Sequence, residues 1–258
     1  CDPQALRNCH YTANVAASVL RHLTSLPLPT RHLLGRLASL GSAGGLDVLS
    51  RIITVPVSEI ERTLLPAVTA RLITLNEAGY AFMHDTMHEA ALNLLNDEDK
   101  DSFHCAAALY YIHESSLDVT NALLFRAAHH LLAVKTLSLL TPDAARFCQL
   151  LLKAGRRAKT MGDYISALRY LQTARLLNQG AGKAESGEFL LEEAECEFLN
   201  GNLPAALKLS AAIHASPGEV ADKAEAACLI AEIHMRQSDS PLALETALAW
   251  LAVFGIHL

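Results

Sequence analysis

Leu151-Leu152-Lys153-Ala154-Gly155-Arg156-Arg157-Ala158-Lys159-Thr160-Met161-Gly162-Asp163-Tyr164-Ile165-Ser166-Ala167-Leu168-Arg169-Tyr170-Leu171-Gln172-Thr173-Ala174 is the stretch that decides how this chain folds. Ala, Leu, Lys and Arg dominate it, and all four favour helix. Gly162 interrupts the run with the residue type that turns most easily. Asp163 behind it can cap the helix that follows, and Tyr164 completes the turn phrase. The stretch therefore reads as two helices joined by a tight turn. Two helices that cross closely need small residues at the contact. Gly155 on the first helix and Ala167 on the second supply them, with Leu171 and Ala174 further along the same face.

The phrase recurs. Glu193-Ala194, Leu199-Asn200-Gly201-Asn202-Leu203 and Ala206 repeat it, with the turn glycine 39 residues on (162 to 201). A weaker third copy is Ala231, Ser238-Asp239-Ser240 and Ala243, where the turn glycine is lost. Residues 151–178 lie close to the tetratricopeptide pattern, and the drifting period makes the repeats irregular. Such units cannot bury their faces alone, so they stack into a curved solenoid rather than an ordinary bundle.

Upstream the pattern differs. Residues 12–25 read as the end of a helix. Leu33, Leu34, Leu37 and Leu40 mark a second helix over 29–40, which Gly41-Ser42-Ala43-Gly44-Gly45 ends. A third covers 46–54. Ser58 is placed to cap a fourth, with Glu61 three residues on in capping-box spacing. That helix carries Ile60, Leu64, Leu65 and Val68 and fades near Leu72. A hairpin over 72–82 follows, turning at Asn76-Glu77-Ala78-Gly79. A helix over 85–96 closes the unit. Three helices, a hairpin and a final helix make a winged-helix-like domain. Its third helix offers Arg62 and Arg71 but also Glu59 and Glu61, which argues against DNA binding. Asn96-Asp97-Glu98-Asp99-Lys100-Asp101 reads as a polar boundary. Beyond it all is helix, with start signals at Thr141-Pro142 and Ser240-Pro241. The expected organisation is residues 1–25 as the end of a preceding helical lid region, 26–100 winged-helix-like, and 101–258 helical repeats. The fold class is thus mostly all-α with one small β-hairpin.

Formal charge is −6, so no broad basic field awaits a nucleic-acid backbone or anionic membrane. Arg156, Arg157 and Lys159 form the densest basic cluster, read as a solvated helix face. The six cysteines lack C-x-x-C spacing, and the last four sit among helix formers. They read as reduced, mostly buried thiols of a cytoplasmic protein. No apolar run reaches the ~18 residues of a membrane span. The chain lacks an initiator Met and a signal peptide, and reads as the middle piece of a longer polypeptide.

Met83-His84-Asp85 stands where the hairpin meets the last helix of the first unit. A neutral imidazole at such a junction can donate one hydrogen bond to a phosphate. The triplet resembles the MHD motif in the winged helix of STAND-type signalling ATPases. Phe82-x-His84-Asp85 with Glu89-Ala90, the run Ala154 to Lys159 with Tyr164 to Leu171, and Ala194 to Gly201 resemble, in the same order, three phrases of one STAND subgroup. Leu251 to Leu258 looks like the segment before that subgroup's repeats continue. This subgroup joins an AAA-like ATPase to tetratricopeptide-like repeats inside large sensor histidine kinases and some serine/threonine kinases. The resemblance implies that His84 senses the phosphate of bound ADP and holds the protein off. It also implies ATP/ADP with Mg in an ATPase domain upstream, a two-component signalling context, and the parent's own ATPase and kinase domains as partners. A protein or peptide on the solenoid is a further partner.

No G-x-x-x-x-G-K-[ST] loop and no G-x-S-x-G phrase occurs in the 258 residues. His129 and His130 are adjacent on a helix, point about 100° apart, and cannot both face one ion. His84 and His88 share a face at i and i+4, but the H-E-x-x-H order is absent. The expectation is a segment that binds no cofactor or metal itself and catalyses nothing. Its role is to couple nucleotide state to signal output. The alternatives are a tetratricopeptide scaffold with no nucleotide role, and the middle segment of a STAND transcription activator.

Overall fold

The computed structural model describes residues 21–117, 121–182, 187–215 and 219–256. Most of the helix expected over 12–25 lies outside them; residues 21–25 are helical. The chain forms two compact units. One comprises Cys1–His113 with Ala133–Lys135, the other Glu114–Leu132 with Thr136–Leu258.

The first unit runs α1 (Leu28–Leu40), β1 (Ala43–Gly44), α2 (Leu46–Ile53), α3 (Val57–Thr69), β2 (Ile73–Asn76), β3 (Gly79–Phe82) and α4 (Asp85–Ala91), then enters α5 (Asp97–Leu117). Leu34, Leu37, Leu49, Ile60, Leu64, Leu72 and Ile73 form a core with almost no exposure. These residues come from α1, α2, α3 and the start of β2, so burying them holds those elements together. Buried Thr30 donates to the Thr63 carbonyl at 2.8 Å, locking α1 to α3. The Tyr80 hydroxyl donates to the carbonyls of Leu37 and Gly41, tying β3 to the end of α1.

The hairpin pairs Asn76 with Gly79 across Glu77-Ala78, and the Ala78 N–H donates to Asn76 Oδ1 at 2.9 Å. The stretch 41–45, read as a helix end, also supplies the strand β1. It pairs antiparallel with β3 at Ala43–Ala81 and Gly44–Tyr80, giving the order β1-β3-β2. Gly79 has φ +118°, and a Cβ there would collide with the Gly44 carbonyl, so only glycine fits this approach.

Three start signals resolve differently. The helix expected from Ser58 begins at Val57 with Pro56 at the cap and no side-chain capping bond. The fixed φ of proline already suits a helix start, and its carbonyl accepts from Glu59 and Ile60. Thr141-Pro142 falls inside a 3-10 helix, Leu137–Asp143, whose φ range proline also satisfies. The α-helix starts at Ala144. At 240, the cap is Asp239 rather than Ser240; its side chain accepts from Leu242 N–H. The polar boundary at 96–101 is the first turn of α5, where Asn96 accepts from Asp99 N–H and three acidic residues oppose the helix dipole.

The second unit contains the remainder of α5, then α6 (Asn121–Ala133), the 3-10 turn, α7 (Ala144–Thr160), α8 (Tyr164–Gly180), α9 (Gly187–Leu199), α10 (Leu203–Ala215), α11 (Val220–Arg236) and α12 (Ser240–Val253). Antiparallel pairs α7–α8, α9–α10 and α11–α12 stack in sequence order. Phe147, Leu151 and Ala154 of α7 are buried, as are Ala167, Leu171 and Ala174 of α8. Ala194, Phe198, Ala206, Leu229 and Ile233 continue the core through the next pairs. The fold is mostly α, with a small sheet and solenoid-like helix packing, as the sequence pattern predicts.

Candidate functional site

His84 stands where the sheet ends. Met83 N–H donates to the Leu72 carbonyl at 3.1 Å, the last bond of the sheet region. His84 itself is extended, with φ −150° and ψ 151°, and its carbonyl accepts from Met87 and His88. It is therefore the cap residue of α4. Its side chain is exposed and makes no capping bond, so the fold does not consume the imidazole. His88, one turn on, is used differently. Its Nε2 lies 2.9 Å from the Ala38 carbonyl and its ring meets Phe82 edge-on at 5.3 Å. Nε2 must carry hydrogen to make that bond. The two histidines that share a helix face thus divide into one available group and one structural tie between α4 and α1.

The repeat turns form a second set of sites. Gly162 has φ +80° and its N–H donates to Lys159; Asp163 N–H donates to Ala158, five residues back. This is the Schellman arrangement that ends a helix. Asp163 then caps α8 through Ser166 N–H at 3.1 Å. Hydrogen bonds from the Ser166 side chain and N–H hold its carboxyl below the usual range. Gly201 (φ +85°) with Asn202, and Ser238 (φ +63°) with Asp239, reproduce the same two backbone bonds. The carbonyls of Asp163, Asn202 and Asp239 accept from Ala167, Ala206 and Ala243, all three buried. The weak third copy is therefore a full geometric copy. Tyr164 is half-buried, and Ala174 has no exposure. Gly155 faces Leu171 and the Ala167 carbonyl.

The basic cluster is not a simple solvated face. Arg156 of α7 bonds Glu188 at 2.8 Å and Glu192 at 2.5 Å, and Lys159 bonds Glu192 and Glu195 at 2.5 Å. Burial opposes the charge on Lys159, but the two carboxylates outweigh it and raise its affinity for the proton. Arg157 donates to Asn121 at 3.1 Å. Behind them Arg175 of α8 reaches the buried carboxylate of Glu193 at 2.7 Å. The first two helical pairs are thus clasped by charge as well as packed; the Arg156 and Lys159 pairs are hidden in sequence because their partners lie more than thirty positions away.

The cysteine expectation holds for Cys148 and Cys196, which are buried, and less well for half-buried Cys105. It fails for Cys228, which is exposed. Burial pushes the Cys196 thiol up to about 12. Cys1 and Cys9 lie outside the described residues. His129 is exposed and His130 buried, as their helical spacing requires. Among the described residues no group of three or more His, Cys, Asp or Glu could hold a metal, and no helix is long and apolar enough to cross a membrane.

No family model and no curated protein matches the chain. Among solved structures, a signal-transduction ATPase with numerous domains (STAND) and a tetratricopeptide repeat sensor, from Pyrococcus horikoshii, is similar at 12% identity with a TM-score of 0.36. The match covers 91% of this chain and 46% of that one, so this chain spans less than half its length. So loose a likeness fixes neither fold nor function.

Proposed function

We propose that this chain is the regulatory and protein-interaction segment of a STAND signalling ATPase carried within a sensor histidine kinase. The first unit reports nucleotide state through His84, and the helical pairs engage a partner. The reading is carried by one observation: the imidazole of the Met83-His84-Asp85 triplet is exposed at the strand-to-helix junction and free of capping duty. It offers a single donor to a phosphate, while its neighbour His88 is occupied by the Ala38 carbonyl. The chain supplies no glycine-rich phosphate cradle, so ATP or ADP with Mg would be held by an ATPase domain outside it, and His84 would add one contact. Coupling to a kinase output follows from the family resemblance alone.

The test is made in the parent protein with two variants. His84→Ala removes one charge-assisted hydrogen bond from the ADP-bound state, worth roughly 1.5–3 kcal/mol, or about 10- to 100-fold faster ADP release. Its melting temperature stays near that of the parent. His88→Ala lowers the melting temperature and leaves ADP release unchanged. Unaltered release from His84→Ala, in a parent shown to bind ADP, favours the scaffold reading with no nucleotide role.

A further inference from the structure

The clasp between the first two helical pairs has an incomplete counterpart one step along. Aligning the three turns at Gly162, Gly201 and Ser238 places Arg156 and Lys159 of α7 in register with Glu195 and Phe198 of α9. It places Glu188, Glu192 and Glu195 of α9 in register with Glu225, Leu229 and Glu232 of α11. In the first step, cations on one helix answer carboxylates on the next. In the second step the outer carboxylates remain, but both cations are gone.

Those residues line one groove. Glu195, Phe198 and Leu199 of α9 face Glu225, Leu229 and Glu232 of α11 around a cavity of about 320 Å³. Glu225 and Glu232 are exposed, and neither has an ion-pair partner among the described residues. Glu195 is already bonded to Lys159. Arg236 stacks on the Phe198 ring at 4.0 Å without forming an ion pair with Glu225 or Glu232. The groove therefore combines an apolar floor with two carboxylates, Glu225 and Glu232, that lack the cations of the first step.

We infer that the α9–α11 groove docks a partner peptide that presents Lys or Arg beside an apolar side chain. The basic group would take the place that Arg156 and Lys159 hold in the preceding step, and the apolar group would lie against Leu199, which is exposed in the groove. This inference rests on reading the helical pairs as a partner-binding element, and it names the partner's chemistry. It is independent of His84 and ADP.

The test measures fluorescence anisotropy of labelled decapeptides alternating Leu with Lys, Leu with Ser, or Leu with Glu, titrated with the full 258-residue chain. The Lys–Leu peptide binds, the Ser–Leu peptide binds at least about tenfold more weakly, and the Glu–Leu peptide does not bind. The double variant Glu225→Gln/Glu232→Gln loses at least about tenfold for the Lys–Leu peptide while keeping its helical spectrum. The control Glu59→Gln/Glu61→Gln, which removes two charges from the first unit, binds as the native chain does. Equal loss in both double variants overturns the proposal in favour of general attraction to an acidic protein. Equal binding of the Lys and Ser peptides, undisturbed by Glu225→Gln/Glu232→Gln, overturns the proposal, since nothing then ties the peptide to this groove. No binding of any peptide overturns the groove as a peptide site.

Discussion

A Cβ placed on Gly155 would stand 2.6 Å from Cγ of Leu171 and 2.7 Å from its Cδ2. The two helices of the first pair therefore meet at a distance that only glycine allows on α7. Leu171 has no exposure and cannot swing out into solvent. Gly155→Ala gains about 1 kcal/mol of helix propensity, against about 1–3 kcal/mol for overpacking. The melting temperature is expected to fall. Ala167→Leu, at the facing fully buried position, is expected to lower it further. Unchanged melting in both variants would mean that α7 and α8 do not meet in this register.

Ser238 occupies a left-handed conformation that Gly162 and Gly201 adopt at no steric cost. Ser238→Gly is expected to stabilise the chain by about 0.5–1 kcal/mol, since the strain is relieved. Gly162→Ala is expected to destabilise it by about 1 kcal/mol, although nothing lies within 4 Å of the added carbon. The opposite signs, read from denaturant midpoints, separate backbone strain from packing.

Asp163 links stability to acidity. Its carboxyl is held below the ordinary range by the Ser166 side chain and backbone N–H. A lowered folded-state pKa means stability that is present above the unfolded carboxylate range and lost as pH falls through the lowered one. Asp163→Ala is expected to cost about 1 kcal/mol at neutral pH. Thermal unfolding of both proteins down an acid series should converge once the native carboxyl is protonated. A constant gap at every pH would mean that the carboxylate is not what caps α8.

Thiol reactivity should follow burial and ionisation together. Cys228 is exposed, whereas Cys196 is buried and pushed up to about 12. Only thiolate attacks an alkylating reagent at a useful rate. Iodoacetamide on the folded chain, followed by peptide mapping, should label Cys228 first among Cys105, Cys148, Cys196 and Cys228, and Cys196 only after unfolding. Early labelling of Cys196 would contradict its packing within α9.

Features set within a span of about six residues are legible in the sequence. Gly162-Asp163 and Gly201-Asn202 announce their turns because a left-handed residue and the cap behind it are one local hydrogen-bonded unit. Ala167 and Ala206 follow from the same register, as does the hairpin turn at Asn76 to Gly79. Features set by partners far along the chain emerge only once the chain has folded. The strand Ala43–Gly44 exists because Tyr80 and Ala81 come alongside it, and two residues carry no periodicity to read. Arg156 and Lys159 looked solvated until α9 brought its carboxylates to them. His84 and His88 looked equivalent until the Ala38 carbonyl engaged one and left the other exposed. Local dihedral and capping energies are written in neighbouring residues, but the environment of a charge or an imidazole is set by whichever distant element folds against it.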